Sequence, residues 1–452
     1  MAYPITGAYT SYSSPVTPYS YGGGVVFVVA FESMAEAETA GSSYLRAFKS
    51  TDSGQTWTVA GGGTKEVLAE FPPNPTTRVI TREHPDWPTQ PYIYALYATP
   101  AEQLHISRYN ALTEAWDQES TGDLDIVAAL PGGFAQGQLW SFDFTSGVGG
   151  DGGLLYNDPD GYQHSNLNYY ARVSYASIDR STLSFGIPER LDGQPDDDIV
   201  FSAGDVRRGV DGCLHGFVSQ GDPENVLPAT TYQSVLRFTG AGPGAPSLSE
   251  LGGSSVGYPY AAQHEERGGN HYVYVLVSRQ ALYVGQSATA GITFSEVLEE
   301  AAENFGWPFA VAPNADIYRA WPQPATTIQR QGFDGSTLGD LAEIYSGETE
   351  IGTVGAGAYT GGSACVFSLA VTYPVRAQPL YFLGVAPLQL LGGEGIKSEE
   401  AFGRTHGLTG GGDPQSCGTP VIIPPSPTCG PIDVTEVPEE QRDACPTYGY
   451  SY

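Results

Sequence analysis

The sequence predicts an all-β chain assembled from repeated units of about four short strands, and three observations carry that expectation. Glycine and proline number 58 and 34 among 452 residues, well above the ~12% that the two average together. Each costs about 1–3 kcal/mol inside a helix, so long helices are hard to write from this chain. Aromatic residues are abundant, with 29 Tyr, 18 Phe and 6 Trp, and disordered chains are poor in them. Short alternating apolar runs recur in sets, divided by turn residues.

The sets follow one another along the chain. VVFVVAF (25–31), SYLRAFKS (43–50) and QTWTVA (55–60) form the first, and PYIYALYAT (91–99), QLHISRYN (103–110) and AWDQE (115–119) the second. LWSFDF (139–144), LLYND (154–158), YYARVSYAS (169–177) and LSFGIPERL (183–191) form the third. DIVFSAG (198–204), CLHGFVSQ (213–220) and TYQSVLRFT (231–239) form the fourth. GYPYAAQ (257–263), YVYVLV (272–277), ALYVGQS (281–287) and ITFSEVL (292–298) form the fifth. One turn repeats at a fixed place in three of these sets. Gly-Gly-Asp151-Gly, Gly-Val-Asp211-Gly and Gly-Gly-Asn270-His are spaced by 60 and 59 residues, and Asp or Asn beside Gly is tight-turn chemistry.

A four-stranded unit recurring every ~45–60 residues is the pattern of a β-propeller. SEVLEEAAENFG (295–306) reads as the one helix, opened by Ser295. Residues 308–385 hold TTIQRQ, LGDLAEIY, ACVFSLAVTY and PLYFLGV, read as a sixth blade. Six blades are expected, with five and seven as the alternatives. Residues 1–388 are assigned to the propeller. Residues 389–452 are assigned to an irregular, Pro-rich acidic tail.

Net charge is −30, which repels phosphate backbones and argues against nucleic-acid binding. No apolar run approaches the ~18 residues of a membrane span. The first cationic side chain is Arg46, so no secretory signal is read. The surface-like composition then suggests a virion protein made in the host cytoplasm, with an extracellular protein as the alternative. Of five cysteines, Cys213 and Cys365 sit in strand-like runs, while Cys417, Cys429 and Cys445 lie in the tail. None has metal-site spacing.

The sharpest motif is Ser50-Thr51-Asp52-Ser53-Gly54-Gln55-Thr56-Trp57. Asp52 can accept backbone N–H groups and close the turn, Gly54 can take positive φ, and Trp57 can bury its ring beyond it. Ser287, Gly291, Thr293 and Phe294 form a degenerate copy at the same place in the fifth set. Tyr109, Asn110 and Trp116 give a kelch-like turn there in the second. The first motif resembles the Asp-box of BNR-repeat, sialidase-like β-propellers, a likeness that reaches over roughly residues 1–300. The resemblance implies a propeller with a structural, peripheral box. Sialidases of that family use an arginine triad, a Tyr–Glu nucleophile pair and an Asp acid/base, the first arginine lying in an Arg-Ile-Pro-like motif ahead of the first box. No arginine precedes Arg46, so sialidase activity is not expected.

Asp143, Asp205, His264 and Glu265 follow the first runs of the third to fifth sets, with Arg207 and Arg208 adjoining. Near a central channel such groups can do acid–base work or stand as solvated channel groups. Asp158 and Asp160, and Asp196, Asp197 and Asp198, offer oxygen ligands for Ca²⁺, although no cofactor is expected. Gly253-Ser254-Ser255-Val256-Gly257 lacks the strand–turn–helix context of a nucleophile elbow. Gly392 to Ser398 misplaces the second glycine of a phosphate loop.

The expected function is non-enzymatic attachment: a tailed-bacteriophage fibre, baseplate or decoration protein. Its propeller would meet a host glycan or protein, while 390–452, and residues 1–18, meet other subunits. An Asp-box glycoside hydrolase or polysaccharide lyase is the alternative, and a secreted bacterial binding propeller the second.

Overall fold

The computed structural model describes residues 2–385 apart from 11–14, 33–42, 62–65, 69–78, 99–102, 121, 123, 126–139, 146–150, 164–168, 191–199, 209–213, 222–227, 240–241, 251–258, 268–269, 278–280, 288–294, 302–308, 315, 322–324, 334–337, 360–361 and 371–377. Over 157–173, 200–204 and 217–309 it describes the backbone alone. By its contacts the chain divides into two units, Met1–Gly418 and Thr419–Tyr452. The second lies outside the described residues, as does the whole expected tail from 389 onward.

Among the described residues every regular element is a strand. The chain begins with β1 (Tyr3–Thr10), β2 (Pro18–Gly22), β3 (Val25–Glu32), β4 (Ser43–Ser50), β5 (Thr58–Val59) and β6 (Glu66–Leu68). Strands β2 to β5 pair in order, and β6 also pairs with β4. The second sheet holds β7 (Val79–Glu83), β8 (Tyr92–Ala98), β9 (Gln103–Asn110) and β10 (Ala115–Glu119), with β11 (Leu124–Asp125) on β9. The third holds β12 (Trp140–Phe144), β13 (Gly152–Gln163), β14 (Tyr169–Ile178) and β15 (Glu189–Arg190). The fourth holds β16 (Val200–Arg208), β17 (Leu214–Gly221), β18 (Pro228–Thr239) and β19 (Gly242–Glu250).

The fifth sheet holds β20 (Pro259–Arg267), β21 (Asn270–Val277), β22 (Ala281–Ser287) and β23 (Ser295–Ala301). The sixth holds β24 (Phe309–Val311), β25 (Ile317–Trp321), β26 (Thr327–Gln331) and β27 (Ala342–Ser346). The last strands, β28 (Ile351–Tyr359), β29 (Gly362–Leu369) and β30 (Gln378–Val385), take β1 as their fourth member. Strand β1 pairs antiparallel with β30 at Tyr3↔Phe382 and Thr10↔Gln378, and with β3 at Ala8↔Glu32 and Tyr9↔Phe31, so the last strands and the first group join in one nine-stranded sheet.

Sequence explains how these sheets stack. In β3 the run VVFVVAF is apolar on both alternating faces. Phe27, Val29 and Phe31 enter a core with Ile93, Tyr97 and Tyr109 of the second sheet. Val26, Val28 and Ala30 enter another with Val366 and Phe382 of the last strands. Tyr94, Leu96 and Ile106 likewise meet Trp140, Phe142 and Phe144 of the third sheet. Tyr318 and Ile328 meet Val354 and Phe367. A sheet covered on both faces reads as a continuous apolar run rather than an alternating one.

The first strands of successive groups also touch. Strand β12 packs on β7, β16 on β12, β20 on β16, β24 on β20, β28 on β24 and β2 on β28. Tyr19 of β2 then donates its hydroxyl to Thr81 Oγ1 of β7 at 2.6 Å.

Two expectations are corrected. Residues 295–301 are strand β23, paired with β22 at Gln286↔Ser295 and Val284↔Leu298. This glutamate-rich segment lies at the edge of its sheet, where charged side chains are tolerated and helix propensity is overridden by pairing. Residues 308–385, read as one unit, hold seven strands in two groups, the second completed by β1. Its missing fourth strand is at the other end of the sequence, which no local pattern could reveal.

Candidate functional site

The Asp-box turn joins β4 to β5. Asp52 Oδ1 accepts the backbone N–H of Gln55 and Thr56 at 3.1 and 2.8 Å, and Oδ2 accepts the Thr56 hydroxyl at 2.6 Å. Ser50 donates its hydroxyl to Asp52 Oδ1 at 2.8 Å and accepts the Gly54 N–H at 2.8 Å. These donors, Thr56 first, pull the partly exposed Asp52 carboxyl down to about 2. Gly54 has φ +86°. Trp57 is buried, donates Nε1 to Gly54 O at 2.9 Å and meets Phe382 at 5.3 Å between ring centroids. Tyr359 donates its hydroxyl to Ser53 O. The turn therefore docks on the last strands.

The kelch-like turn joins β9 to β10. Asn110 Oδ1 accepts the N–H groups of Leu112 and Thr113. Buried Tyr109 packs edge-on against Trp116 at 5.4 Å. Glu114 reaches back to the first sheet, pairing with Lys49 Nζ at 2.5 Å and accepting the Gly61 N–H at 3.2 Å. A third such turn went unread in the sequence. Asp179, between β14 and β15, accepts Ser181 N, Ser181 Oγ and Thr182 N. Its signal, Asp followed by Ser-Thr, was present but lacks the Gly and Trp of the first box. Of the degenerate copy, Ser287 ends β22 opposite His271, while Gly291, Thr293 and Phe294 lie outside the described residues.

Asp143 and Asp205 sit on the first strands of the third and fourth sheets, and both are occupied. Asp205 is fully buried. Its Oδ1 accepts Arg82 Nη2 at 2.9 Å, Ser141 Oγ at 2.5 Å and Val206 N at 3.1 Å, and its Oδ2 accepts Arg207 Nε at 2.8 Å. Arg82 of β7 thus reaches past Ser141 of β12 to Asp205 of β16, tying three successive sheets. Burial, then the Arg207 charge, lowers the Arg82 pKa against the pull of Asp205. Asp143 is buried and accepts Phe144 N at 2.8 Å and Arg208 N at 2.9 Å. A similar tie joins the sixth group to the last strands. There Asp316 binds Arg330 Nη2 at 2.7 Å and the hydroxyl of Ser363.

A cluster of aromatic and cationic side chains lies where β7, β12 and β16 end. His84 follows β7 and is buried. The Asp86 N–H donates to its Nδ1 at 3.0 Å, which leaves the ring proton on Nε2. Burial first, then the charges of Arg180, Arg208 and Arg108, push His84 down to about 3. The half-exposed Asp86 carboxylate, 3.8 Å from Nδ1, does not offset them. The His84 ring lies 6.0 Å from Tyr92 and 6.3 Å from Tyr94, near-parallel to the latter. Tyr94 leans on Phe144 at 4.3 Å, and burial pushes its phenol up to about 12. Arg108 stacks 4.5 Å above partly exposed Tyr92 and pairs with Asp117 at 2.7 Å. Arg180 donates to Thr145 O at 3.3 Å. Arg208 is held through its backbone by Asp143, and its Nη1 is buried without a hydrogen-bond partner. Only Arg208 of this cluster was singled out in the sequence, because the others belong to separate strands that meet only when the sheets stack.

The remaining candidates are dispersed. His264 and Glu265 lie on β20 opposite Val273 and Tyr272. Asp158 lies on β13 opposite Arg172, and Asp160 lies further along the same strand. Asp196, Asp197 and Asp198 lie outside the described residues. Among the described residues no cluster of His, Cys, Asp and Glu is arranged to hold a metal ion. Cys365 is a free, buried thiol.

No family model matches the chain, and no curated protein matches it. Among solved structures it is similar to Trypanosoma rangeli sialidase in complex with sialic acid, at 12% identity and a TM-score of 0.40, over 84% of this chain and 56% of that one. It is similar to Aleuria aurantia lectin in complex with Fucalpha1-6GlcNAc, at 12% identity and a TM-score of 0.41, over 74% and 97% of the two chains. It is also similar to the polysaccharide lyase Uly1, at 9% identity and a TM-score of 0.46, over 81% and 89%. The chain thus spans little more than half of the sialidase's length.

Proposed function

We propose that the chain is a seven-bladed β-propeller that binds a saccharide at the end where β7, β12 and β16 finish. The succession of first-strand contacts, from β2 through β28 and back to β2 by way of Tyr19 and Thr81, supports a closed ring of blades. Strand β1 completes the last blade and so joins the two ends of the ring.

One observation carries the functional reading. Tyr92, stacked under Arg108 at 4.5 Å, is partly exposed, with buried His84 6.0 Å from its ring. An aromatic face beside fixed N–H donors suits a sugar ring, whose C–H face stacks while its hydroxyls accept. A binding role is favoured over hydrolysis by Asp143 and Asp205, because every oxygen of both already accepts a hydrogen bond. The proposal concerns the site, whether the chain is carried on a virion or secreted.

Titration of the full chain against a panel of neutral and acidic oligosaccharides tests it. Binding is expected for at least one class, and Tyr92→Ala is expected to abolish it in a chain that still unfolds cooperatively. Binding of none, or binding indifferent to Tyr92→Ala, overturns the reading. Release of new reducing or unsaturated ends would instead establish turnover, the second reading.

A further inference from the structure

We propose that β1 is an exchangeable strand: the Tyr3–Thr10 segment of one copy leaves β30 and takes the same place on β30 of a second copy, so that two chains complete each other's last sheet. A lightly held strand lies here in a tightly built slot. Of residues 3–9, only Ile5 and Ala8 are buried, whereas 362–368 of β29, on the other side of β30, are buried throughout. The ladder to β30 is interrupted too. Tyr3 and Pro4 pair with Phe382 and Tyr381, the register breaks, and pairing resumes at Tyr9 and Thr10. Pro4 has no N–H to give, and Gly7 lies in the break with φ +83°. On its other edge β1 meets β3 only at Ala8 and Tyr9.

The slot demands an occupant. Ile5 and Ala8 close a core that holds Phe48, Val366, Leu380 and Phe382. With β1 away, this core and the N–H and C=O groups along β30 would meet water, and an open apolar edge is a template for another strand. Its requirements are narrow: an extended segment with an Ile-sized and an Ala-sized side chain three positions apart and a glycine at positive φ between them. Tyr3–Thr10 of a second copy meets them, because it is the same sequence. Every contact is then kept in the pair, so the balance between one copy and two is set by concentration rather than by new contacts. The net charge of −30 opposes the approach of two copies, so exchange should rise with salt.

The chain also places a hinge where exchange needs one. Strand β1 lies beside β30, yet it is followed by β2, which pairs with β3. The β2 side of that connection is fixed. A Cβ built on Gly355 or Gly357 of β28 would collide with Val16 O or Pro18 O, so the backbone at 16–18 lies directly on that strand. Only residues 11–15 then stand between a fixed point and β1, and a short hinge beside a detachable strand favours exchange. The expectation that residues 1–18 meet other subunits thereby takes a specific form, independent of the saccharide site.

The test uses the full chain in two preparations, one carrying Pro4→Cys and the other Tyr381→Cys, positions that face each other across the β1–β30 ladder. They are mixed at high protein concentration and moderate salt, incubated below the melting temperature and mildly oxidised. The expected product is a dimer by light scattering, with a disulfide from position 4 of one chain to position 381 of the other, mapped by peptide mass spectrometry. Ile5→Ala, added to the first preparation, should speed its formation about tenfold or more, since fewer buried methylenes are exposed when β1 leaves. Tyr9→Cys with Pro379→Cys, another facing pair, repeats the test should Tyr381→Cys fold poorly. Amide hydrogen exchange of the unaltered chain gives an independent reading, in which β1 should exchange with solvent faster than β29. A chain that stays monomeric under these conditions, dimers linked across chains at neither facing pair, or β1 amides as protected as those of β29 overturns the inference.

Discussion

Gly54 lies flat against the ring of Phe382: a Cβ built on Gly54 falls among the Phe382 ring atoms. Gly54 belongs to the Asp-box turn of the first sheet, and Phe382 to β30, so the box seals the seam between the two ends of the described chain. Gly54→Ala meets both a positive φ and a ring that is fully buried and has nowhere to go. We expect a loss of ~2–4 kcal/mol in denaturant unfolding. Gly22→Ala has a similar φ of +94° but open space around the added methyl, and should cost only ~1 kcal/mol.

Trp57 fills the other side of the same seam. Trp57→Ala removes its contact with Phe382 and frees the Gly54 carbonyl. The expected cost is ~3–5 kcal/mol, read as a lower thermal midpoint with a loss of buried tryptophan fluorescence.

Asp52 should leave a signature in acid. Its folded value of about 2 lies below its ordinary 3.8. Its contribution to stability is therefore present above the ordinary value and lost as pH falls toward the folded one. Asp52→Asn should be less stable near neutrality and show a shallower fall in stability between pH 3.8 and 2, measured by urea unfolding across that range.

Removing the buried anion tests the tie across three sheets. Asp205→Ala strands Arg82 without its carboxylate partner, a change expected to cost ~3–5 kcal/mol. The triple change Arg82→Met, Asp205→Leu and Arg207→Met should recover much of that loss, because both arginines that paired with Asp205 are gone with it. Urea midpoints of the three chains check it.

His84 is neutral through the physiological range. Its folded value of about 3 lies below 6.5, so its contribution is complete above pH 6.5 and is lost progressively as pH falls from there toward 3. Ring NMR signals of His84 should not titrate between pH 5 and 8. In His84→Gln, stability should fall less steeply between pH 6.5 and 4.

The strand content and the turns were legible because their causes are local. Ser50, Asp52, Gly54 and Thr56 bond only to one another, so eight consecutive letters specify that hairpin. The run VVFVVAF announced two buried faces but not which sheets cover them. Segment 295–301 misled because its glutamates favour helix, while pairing with β22 decided otherwise. The cluster at His84 was invisible for a related reason. Tyr92, Arg108, Arg180 and Arg208 come from three sheets, and no spacing in sequence encodes their meeting. Asp143 and Asp205 were found as residues, but their character was not: only the fold reveals that every acceptor on them is taken.

The pairing of β1 with β30 constrains how the molecule can be made. During synthesis Tyr3–Thr10 precedes the other described strands, and the β30 edge it pairs with is made only after all the intervening strands. That contact is thus strongly non-local, which slows folding and leaves one edge of β1 open in the nascent chain until β30 is made. Cutting the chain within a loop between two sheets and linking the end of β30 directly to the start of β1 would make that contact local while changing the order in which the strands assemble.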